Sequence, residues 1–232
     1  APAPMRDAVS KARIGNGFGM ILRCAVTELP DYSAAPTATS PRAPGYDAAG
    51  QHIAMQFICP SLDYLDRAYG DFLAGRPSTE PAIIAMTWSA ADPSLAPEGQ
   101  HVLFLWAQYF PYDLVSGENW DAIAEREAER ILGILTRYAP NMTRDKIIGW
   151  LIETPLYLER ELGLHRGNVM HLEMSVDQMF LLRPSVGFSQ YRAPVPGLYL
   201  TGASTHPGGG IMGAAGRNAA AAVLHDLTRR RG

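Results

Sequence analysis

The strongest β signal in the chain is at residues 101–110, HVLFLWAQYF, a nearly unbroken apolar and aromatic run. It predicts a central strand. Shorter apolar segments at 14–26, 52–59, 81–89 and 147–153 predict further strands. Helical spacing is clear twice. Leu62, Leu65, Ala68 or Tyr69, and Phe72 recur on one face after a Pro60-Ser61 start, and Gly75 ends that helix. A longer helix begins near Trp120, with Ile123, Ala124, Ala128, Ile131, Leu135 and Tyr138 on one side. Glu125, Arg126, Glu129, Arg130 and Arg137 lie largely off that face, so this helix covers a sheet. A short helix is expected at 155–164, and 163–184 is the least regular stretch. Residues 34–50 hold three prolines and no periodicity, which predicts an exposed, poorly ordered loop. Strands alternating with only two long helices predict an α+β fold, with an antiparallel or mixed sheet covered by helices.

The last segment has a different character. Leu198, Tyr199 and Leu200 read as a buried strand. The next ten residues, 201–210, contain four glycines and one proline. An Ala-rich helix is expected from Ile211 to Arg229, followed by Arg230 and Arg231, where cations suit a helix C-terminus. Strand, glycine loop and helix form a layout that binds phosphate through unpaired amides and a positive dipole end. Gly208, Gly210 and Gly213 satisfy G-x-G-x-x-G, yet the match is not read as the dinucleotide fingerprint. Residues 203–207 intervene after the strand, the acid at the right count, Asp226, falls on the same helix, and no second strand follows.

Composition narrows the function classes. The chain has 232 residues, 47% hydrophobic and 19% charged, enough for a real core. A net charge of −3 gives no basic face for nucleic acid, so no nucleic-acid partner is expected. Cys24 and Cys59 form no C-x-x-C and lie in apolar surroundings, which predicts free thiols in a cytoplasmic or other reducing compartment. No apolar run approaches the roughly 18 residues needed to span a bilayer, so a soluble portion is expected, with peripheral membrane association left open. Ala1-Pro2-Ala3-Pro4 lacks an initial Met and an apolar signal region and reads as a processed start.

Several side chains invite chemistry, each beside a plainer reading. His206, in the glycine loop before Pro207, faces a ring or substrate, or merely packs the loop. Arg217 and Asn218 reach a cofactor or the remainder of a larger protein, or are a surface charge and a helix amide. His165, His171 and Glu173 suggest a metal, but a third ligand in closed geometry is not evident, so no metal is expected. Glu159, Arg160 and Glu161 read as a solvated or domain-contacting face. Met170, Met174, Met179 and Phe180, with Leu181 and Leu182, form either core or the wall of an apolar channel. No G-x-S-x-G is present, and Ser204 and His206 are too close to form a nucleophile pair, so hydrolysis is not expected.

The stretch TGASTHPGGGIMGAAGRNAA resembles the C-terminal flavin-binding segment of the phytoene dehydrogenase-related FAD-dependent oxidoreductases. GNGFGMILRCAVTELPDY, ICPSLDYLDRAY, DPSLAPEGQHVLFLWAQYFPY, TPLYLERELGLHRGNVMH and RPSVGFSQYRAPVPGLYL resemble its subgroup called pyridine nucleotide-disulphide oxidoreductase domain-containing protein 2, so the likeness runs from about Lys11 onward. Such enzymes begin with a strand, G-x-G-x-x-G and helix that hold the ADP half of FAD. Nothing here matches that start, and Gly15-Asn16-Gly17-Phe18-Gly19 is no substitute.

The resemblance therefore implies the C-terminal part of a larger flavoprotein. Residues 1–190 would be a substrate-domain-like α+β region, and 191–232 the last strand, loop and helix of a Rossmann-like FAD-binding domain. It implies FAD contacts at Gly202 and Ala203 near the phosphate and ribityl chain, and at Gly209, Gly210, Ile211, Met212 and Gly213 along the ring. His206 is the catalytic candidate. Ala203 stands where many relatives carry an acid, which leaves backbone groups to carry the contact. The implied reaction is dehydrogenation of a small apolar substrate with hydride transfer to flavin, the isolated chain being inactive. An alternative is a non-catalytic interaction module, with a homodimer or the remaining flavin-binding region covering its apolar surfaces.

Overall fold

The computed structural model describes residues 1–34, 49–52 and 55–229. Most of the loop expected at 34–50, and Arg230 and Arg231, lie outside the described residues. In chain order the elements are α1 (Ala3–Lys11), β1 (Phe18–Val26), β2 (Gln56–Ile58), α2 (Leu62–Leu73), β3 (Ala82–Met86), β4 (His101–Phe110), α3 (Trp120–Tyr138), β5 (Ile147–Glu153), α4 (Pro155–Leu162) and α5 (Ala214–Arg229). They fall into two compact units, Asn16–Gly167 on one hand and Ala1–Gly15 with Asn168–Gly232 on the other. The change of unit at Gly167 does not coincide with the division at 190 expected from the sequence.

The unit Asn16–Gly167 is α+β. Its five strands run in the order β2-β3-β4-β1-β5, and every pairing is antiparallel. The sheet is thus antiparallel rather than mixed, with β4 at its centre as its composition requires. Alternation sets the faces: Met20, Leu22, Cys24 and Val26 of β1 point to the same side as Leu103 and Leu105 of β4 and Ile83 and Ala85 of β3, all buried in one cluster. Trp120, Ile123, Ile131 and Leu135 of α3 complete that core. The Ser61 cap is as read, its hydroxyl accepting from Tyr64 N–H at 3.1 Å, and α3 has a cap not singled out from the sequence, Asn119 Oδ1 accepting from Asp121 N–H at 2.7 Å. Strand β2 is shorter than expected, because His52 belongs to a 3₁₀ turn whose neighbour Thr87 shares a 3.2 Å hydrogen bond with its ring.

The opposite sheet face is also apolar. Ile21, Ile84 and Phe104 are each under 10% exposed, and the Arg23 guanidinium lies 5.3 Å from the Phe104 ring while binding Glu153 at 2.8 Å. Glu153 is 5% exposed, and its second oxygen has no partner among the described residues.

The other unit has helices at its ends and little regular structure between. Helix α1 was not anticipated. Its prolines sit at the N-cap and in the first turn, where a missing N–H costs nothing, so they start the helix rather than mark a loop. The expected strand at 198–200 is reduced to one bridge, Arg192 with Tyr199, because no named strand among the described residues pairs with it. Helix α5 starts at Ala214, three residues later than expected, since Ile211 and Gly213 take left-handed backbone angles, φ 57° and 66°.

Side chains replace the absent ladder. Gln178 accepts from the N–H of Arg13 (2.7 Å) and donates to its carbonyl (2.9 Å), and the Arg13 guanidinium binds Asp177 and Glu173 at 2.6 and 3.2 Å. That cation holds the Asp177 carboxyl down at about 2. Arg183 is fully buried and donates to five carbonyl oxygens. These are Ala203 and Met170 at 2.8 Å and Leu172, Glu173 and Gln178 at 3.1 Å. It has no carboxylate partner among the described residues. At the far end of α5, Asp226 receives Arg192 at 2.7 Å and the Tyr199 hydroxyl at 2.9 Å. Both hold its carboxyl well below the usual carboxylate range, Arg192 foremost.

Two outcomes follow from this packing. Burial pushes the Cys24 thiol up to about 12, only partly opposed by Arg144, so almost no thiolate exists near neutral pH. An aromatic disulfide reagent at pH 8 should titrate Cys59 in the native chain and both thiols only after unfolding; two fast equivalents would contradict this. Replacing Arg183 with Met removes charge-assisted bonds to five buried carbonyls and should cost about 3 kcal/mol or more, and Arg183→Lys, with three donors, less. All four tryptophans lie within 16–167. Arg183→Met should therefore speed hydrogen exchange at 168–206 while leaving tryptophan emission unchanged.

Candidate functional site

The candidate residues from Gly202 to Gly213 fall in one loop of the unit that contains α1 and α5. The loop turns through positive φ at Gly202, Gly208, Gly210 and Gly213, angles open to glycine at little cost. A Cβ added to Gly202 or Gly213 would meet nothing within 4 Å. At Gly209, by contrast, it would come within 2.8 Å of the Met170 sulfur, and at Gly208 within 3.5 Å of Met174. The methionines therefore pack on the inner side of the loop, and its ends are open to a ligand. Phe180 and Leu181, read with them, are instead 61% and 63% exposed.

The amides of Gly208, Gly209, Gly210, Ile211 and Met212 donate to no acceptor among the described residues. They lead directly into α5, whose first turn carries no acid. A row of unpaired N–H groups at the positive end of a 16-residue helix is suited to a phosphate or a carbonyl-rich ring. Ala203 contributes its carbonyl to Arg183, not a side-chain acceptor. Ile211 is completely exposed and Met212 is 62% exposed. A β-branched residue in a left-handed conformation with its side chain in solvent is costly by itself.

His206 sits inside this loop. Its backbone carbonyl accepts from the Tyr191 hydroxyl at 3.0 Å, and that hydroxyl accepts in turn from the Asn218 amide at 2.9 Å. The Nδ1 atom of the His206 ring is buried without a partner among the described residues. Asn218, itself exposed, is thus a brace one turn into α5. Arg217, its neighbour, is exposed; its backbone N–H donates to the Gly213 carbonyl at 3.0 Å, and its guanidinium has no hydrogen bond or ion pair among the described residues.

The remaining candidates are dispersed. In the sheet unit, Glu159 accepts from the Arg166 N–H at 2.8 Å, from the Tyr112 hydroxyl, and pairs with the His165 ring at 3.0 Å; the Arg166 amide foremost lowers its carboxyl. Arg160 pairs with Asp121 and Glu161 at 3.1 and 3.2 Å. Glu173 is taken by Arg13, and His171 lies in a bend with φ 62° rather than on a strand. Arg183 and Tyr191 were not singled out from the sequence. The signal for Arg183 was a lone cation between Leu181-Leu182 and Pro184; Tyr191 gave none.

The space beyond Gly202 and Gly213 and the unpaired amides fit a flavin cofactor along 202–213. No family model matches the chain. Pyridine nucleotide-disulfide oxidoreductase domain-containing protein 2 of Rattus norvegicus is 42% identical over 208 residues, 89% of this chain and 35% of the rat protein. A limonene dehydrogenase component of Castellaniella defragrans is 34% identical over 141 residues, 59% of this chain and 25% of that protein. Phytoene desaturase (lycopene-forming) of Paracoccus sp. is 34% identical over 139 residues, 59% of this chain and 26% of that protein. The chain spans about a third of the length of the rat relative and about a quarter of the other two. The resemblance carried by the glycine loop and the segments before it extends along most of the sequence, and the chain is related to the phytoene dehydrogenase-type oxidoreductases.

Proposed function

We propose that the chain is the C-terminal part of an FAD-dependent oxidoreductase that dehydrogenates a small apolar substrate. The observation that carries this is the row of unpaired amides at 208–212 running into α5, in a sequence related to proteins named as oxidoreductases, dehydrogenases and desaturases. When bound, flavin would supply the two-electron acceptor for a hydride. The chain's own residues bind and orient. Gly202 and Ala203 let the backbone approach the phosphate and ribityl chain. Gly209, Gly210, Ile211, Met212 and Gly213 would hold the ring through backbone groups. Arg217 adds an exposed cation near the helix start. His206, whose backbone carbonyl is braced through Tyr191 and Asn218, is the candidate whose imidazole would lie beside the substrate. On this reading 191–232 is the flavin-contacting segment, and 1–190 supplies the substrate-domain part.

A second reading concerns the chain by itself. Leu198, Ile211, Met212, Leu224 and Leu227 are 40% exposed or more, an apolar set that a partner or a second copy would cover. The two readings are compatible: what a flavin domain covers in a larger protein is available for self-association in the isolated chain. Neither bears on nucleic acid or metal. No helix among the described residues is long and apolar enough to cross a membrane.

An absorbance spectrum tests the first reading. The purified 232-residue chain, as isolated and after incubation with FAD and desalting, should keep no stoichiometric flavin and show no dehydrogenase activity, because it carries half of the binding site. Retention near one flavin per chain would overturn the half-site reading and make the loop sufficient. Light scattering tests the second: a dimer that Ile211→Asp or Leu224→Asp dissociates is the expected result, and a strict monomer at about 100 μM would remove it, given the affinity a stable interface of ordinary size provides.

A further inference from the structure

The face of the sheet turned away from α3 carries one ion pair among apolar side chains. Cross-strand register sets Met86, Phe104, Arg23 and Leu151 in one row over β3, β4, β1 and β5, with Glu153 in the next row beside Ile21. The pair is unequal. Glu153 is buried and accepts one bond, from the Arg23 Nε–H at 2.8 Å, whereas the Arg23 side chain is 47% exposed. Its guanidinium rests on the Phe104 ring, 5.3 Å from the centroid. Both Nη groups are without a hydrogen-bond partner among the described residues. Four of five N–H donors are therefore left over, on a group already held by a ring and a carboxylate.

Stability does not account for this pair. Burying a carboxylate is costly, and apolar side chains of similar volume in place of a buried ion pair are often neutral or stabilising. What the pair adds is orientation. Glu153 holds the Nε edge and Phe104 the flat face, which leaves the Nη fork as the binding edge. Such a fork matches the two oxygens of a carboxylate. Apolar surface lies on both sides of it: Leu151 on β5, and Trp88, whose ring is 5.2 Å from that of Phe104, each 43% exposed. We propose that Arg23 binds the carboxylate of an otherwise apolar acid, its carbon chain lying against Trp88 and Leu151, with Glu153 as the positioning residue. The half-exposed fork makes the contact, not the buried carboxylate. Because Glu153 balances the Arg23 charge, the acid is held by the fork's hydrogen bonds and by apolar contact rather than by a net positive field. The site lies within the unit Asn16–Gly167 and does not rest on the flavin reading.

The probe is cis-parinaric acid, titrated by fluorescence into the 232-residue chain without FAD, then displaced by decanoate or by methyl decanoate. Enhancement saturating at one probe per chain is expected, with decanoate displacing it about three- to tenfold better than the ester, the worth of a charge-assisted contact discounted for exposure. Arg23→Met alone would strand the buried Glu153, so it is paired with Glu153→Leu, which removes both charges and should fold as stably as wild type. This double variant should bind the ester within about twofold of wild type and lose the preference for the acid. Arg23→Lys keeps a partner for Glu153 but not the fork, and should keep only part of the preference. Absence of saturable enhancement overturns the proposal. So does equal displacement by acid and ester in wild type. An acid preference that the double variant keeps in full also overturns it, and would place the carboxylate at the amides of 208–212. Full preference in Arg23→Lys removes the role of the fork.

Discussion

A single buried cation organises the part of the chain that carries the glycine loop. Taking a guanidinium out of water costs several kcal/mol, and burial does lower the Arg183 pKa from its usual value, though arginine stays charged at any pH where the chain is folded. Five carbonyl oxygens, from Met170, Leu172, Glu173, Gln178 and Ala203, offset that cost. The exchange serves both sides. Residues 170–178 form no strand and only a single 3₁₀ turn, Val176–Gln178, so regular structure does not satisfy their carbonyls, and a backbone acceptor left unpaired in the interior is itself unfavourable. One side chain with a rigid fork of donors therefore does for this stretch what a neighbouring strand does for β4. Because the same fork reaches Ala203, the irregular stretch and the glycine loop are fixed together, with Met170 and Met174 against Gly209 and Gly208.

This difference explains what was legible in the sequence. The sheet unit is held by periodic burial, and periodicity is what a sequence displays. Strand β4 and helix α3 therefore start and stop where the pattern at 101–110 and 120–138 places them. In the loop unit the holding interactions are single residues. Arg183 looks like any charge before a proline, and Gln178, which imitates a strand partner for Arg13, looks like any exposed amide. The prolines of α1 were legible only as punctuation, since Pro in a loop and Pro in a helix's first turn are alike by composition. At 198–200 the apolar signal was sound, yet a strand requires a neighbour, and what forms there is an isolated bridge between Arg192 and Tyr199.

The loop itself was legible as a resemblance rather than as geometry. Its glycines announced freedom of φ, and the structure uses that freedom at Gly202, Gly208, Gly210 and Gly213. What the string did not show is that the bend extends to Ile211, which delays α5 to Ala214 and leaves the amides before it unpaired. Nor did it show the brace from Asn218 through Tyr191 to His206, which fixes the loop's middle by its backbone and leaves the imidazole to be set by whatever lies against it.

Electrostatics give the loop a preference of its own. The positive end of α5 carries no acidic residue in its first turn, so nothing within the helix cancels its dipole. Arg183 lies beneath the loop at Ala203 with carbonyl partners only; the nearby carboxylates of Glu173 and Asp177 are engaged by Arg13. Carbonyl dipoles screen a guanidinium but do not neutralise it, so its charge still acts on the peptide groups above. The residue after Gly202 is Ala203, which adds no negative charge. All three features favour an anion at the loop. A site that instead hydrogen-bonds a ribityl hydroxyl through a side-chain acid would cancel part of that potential. The balance of charge here suits a phosphate held by backbone amides, with specificity for the rest of the ligand supplied by what covers Ile211 and Met212.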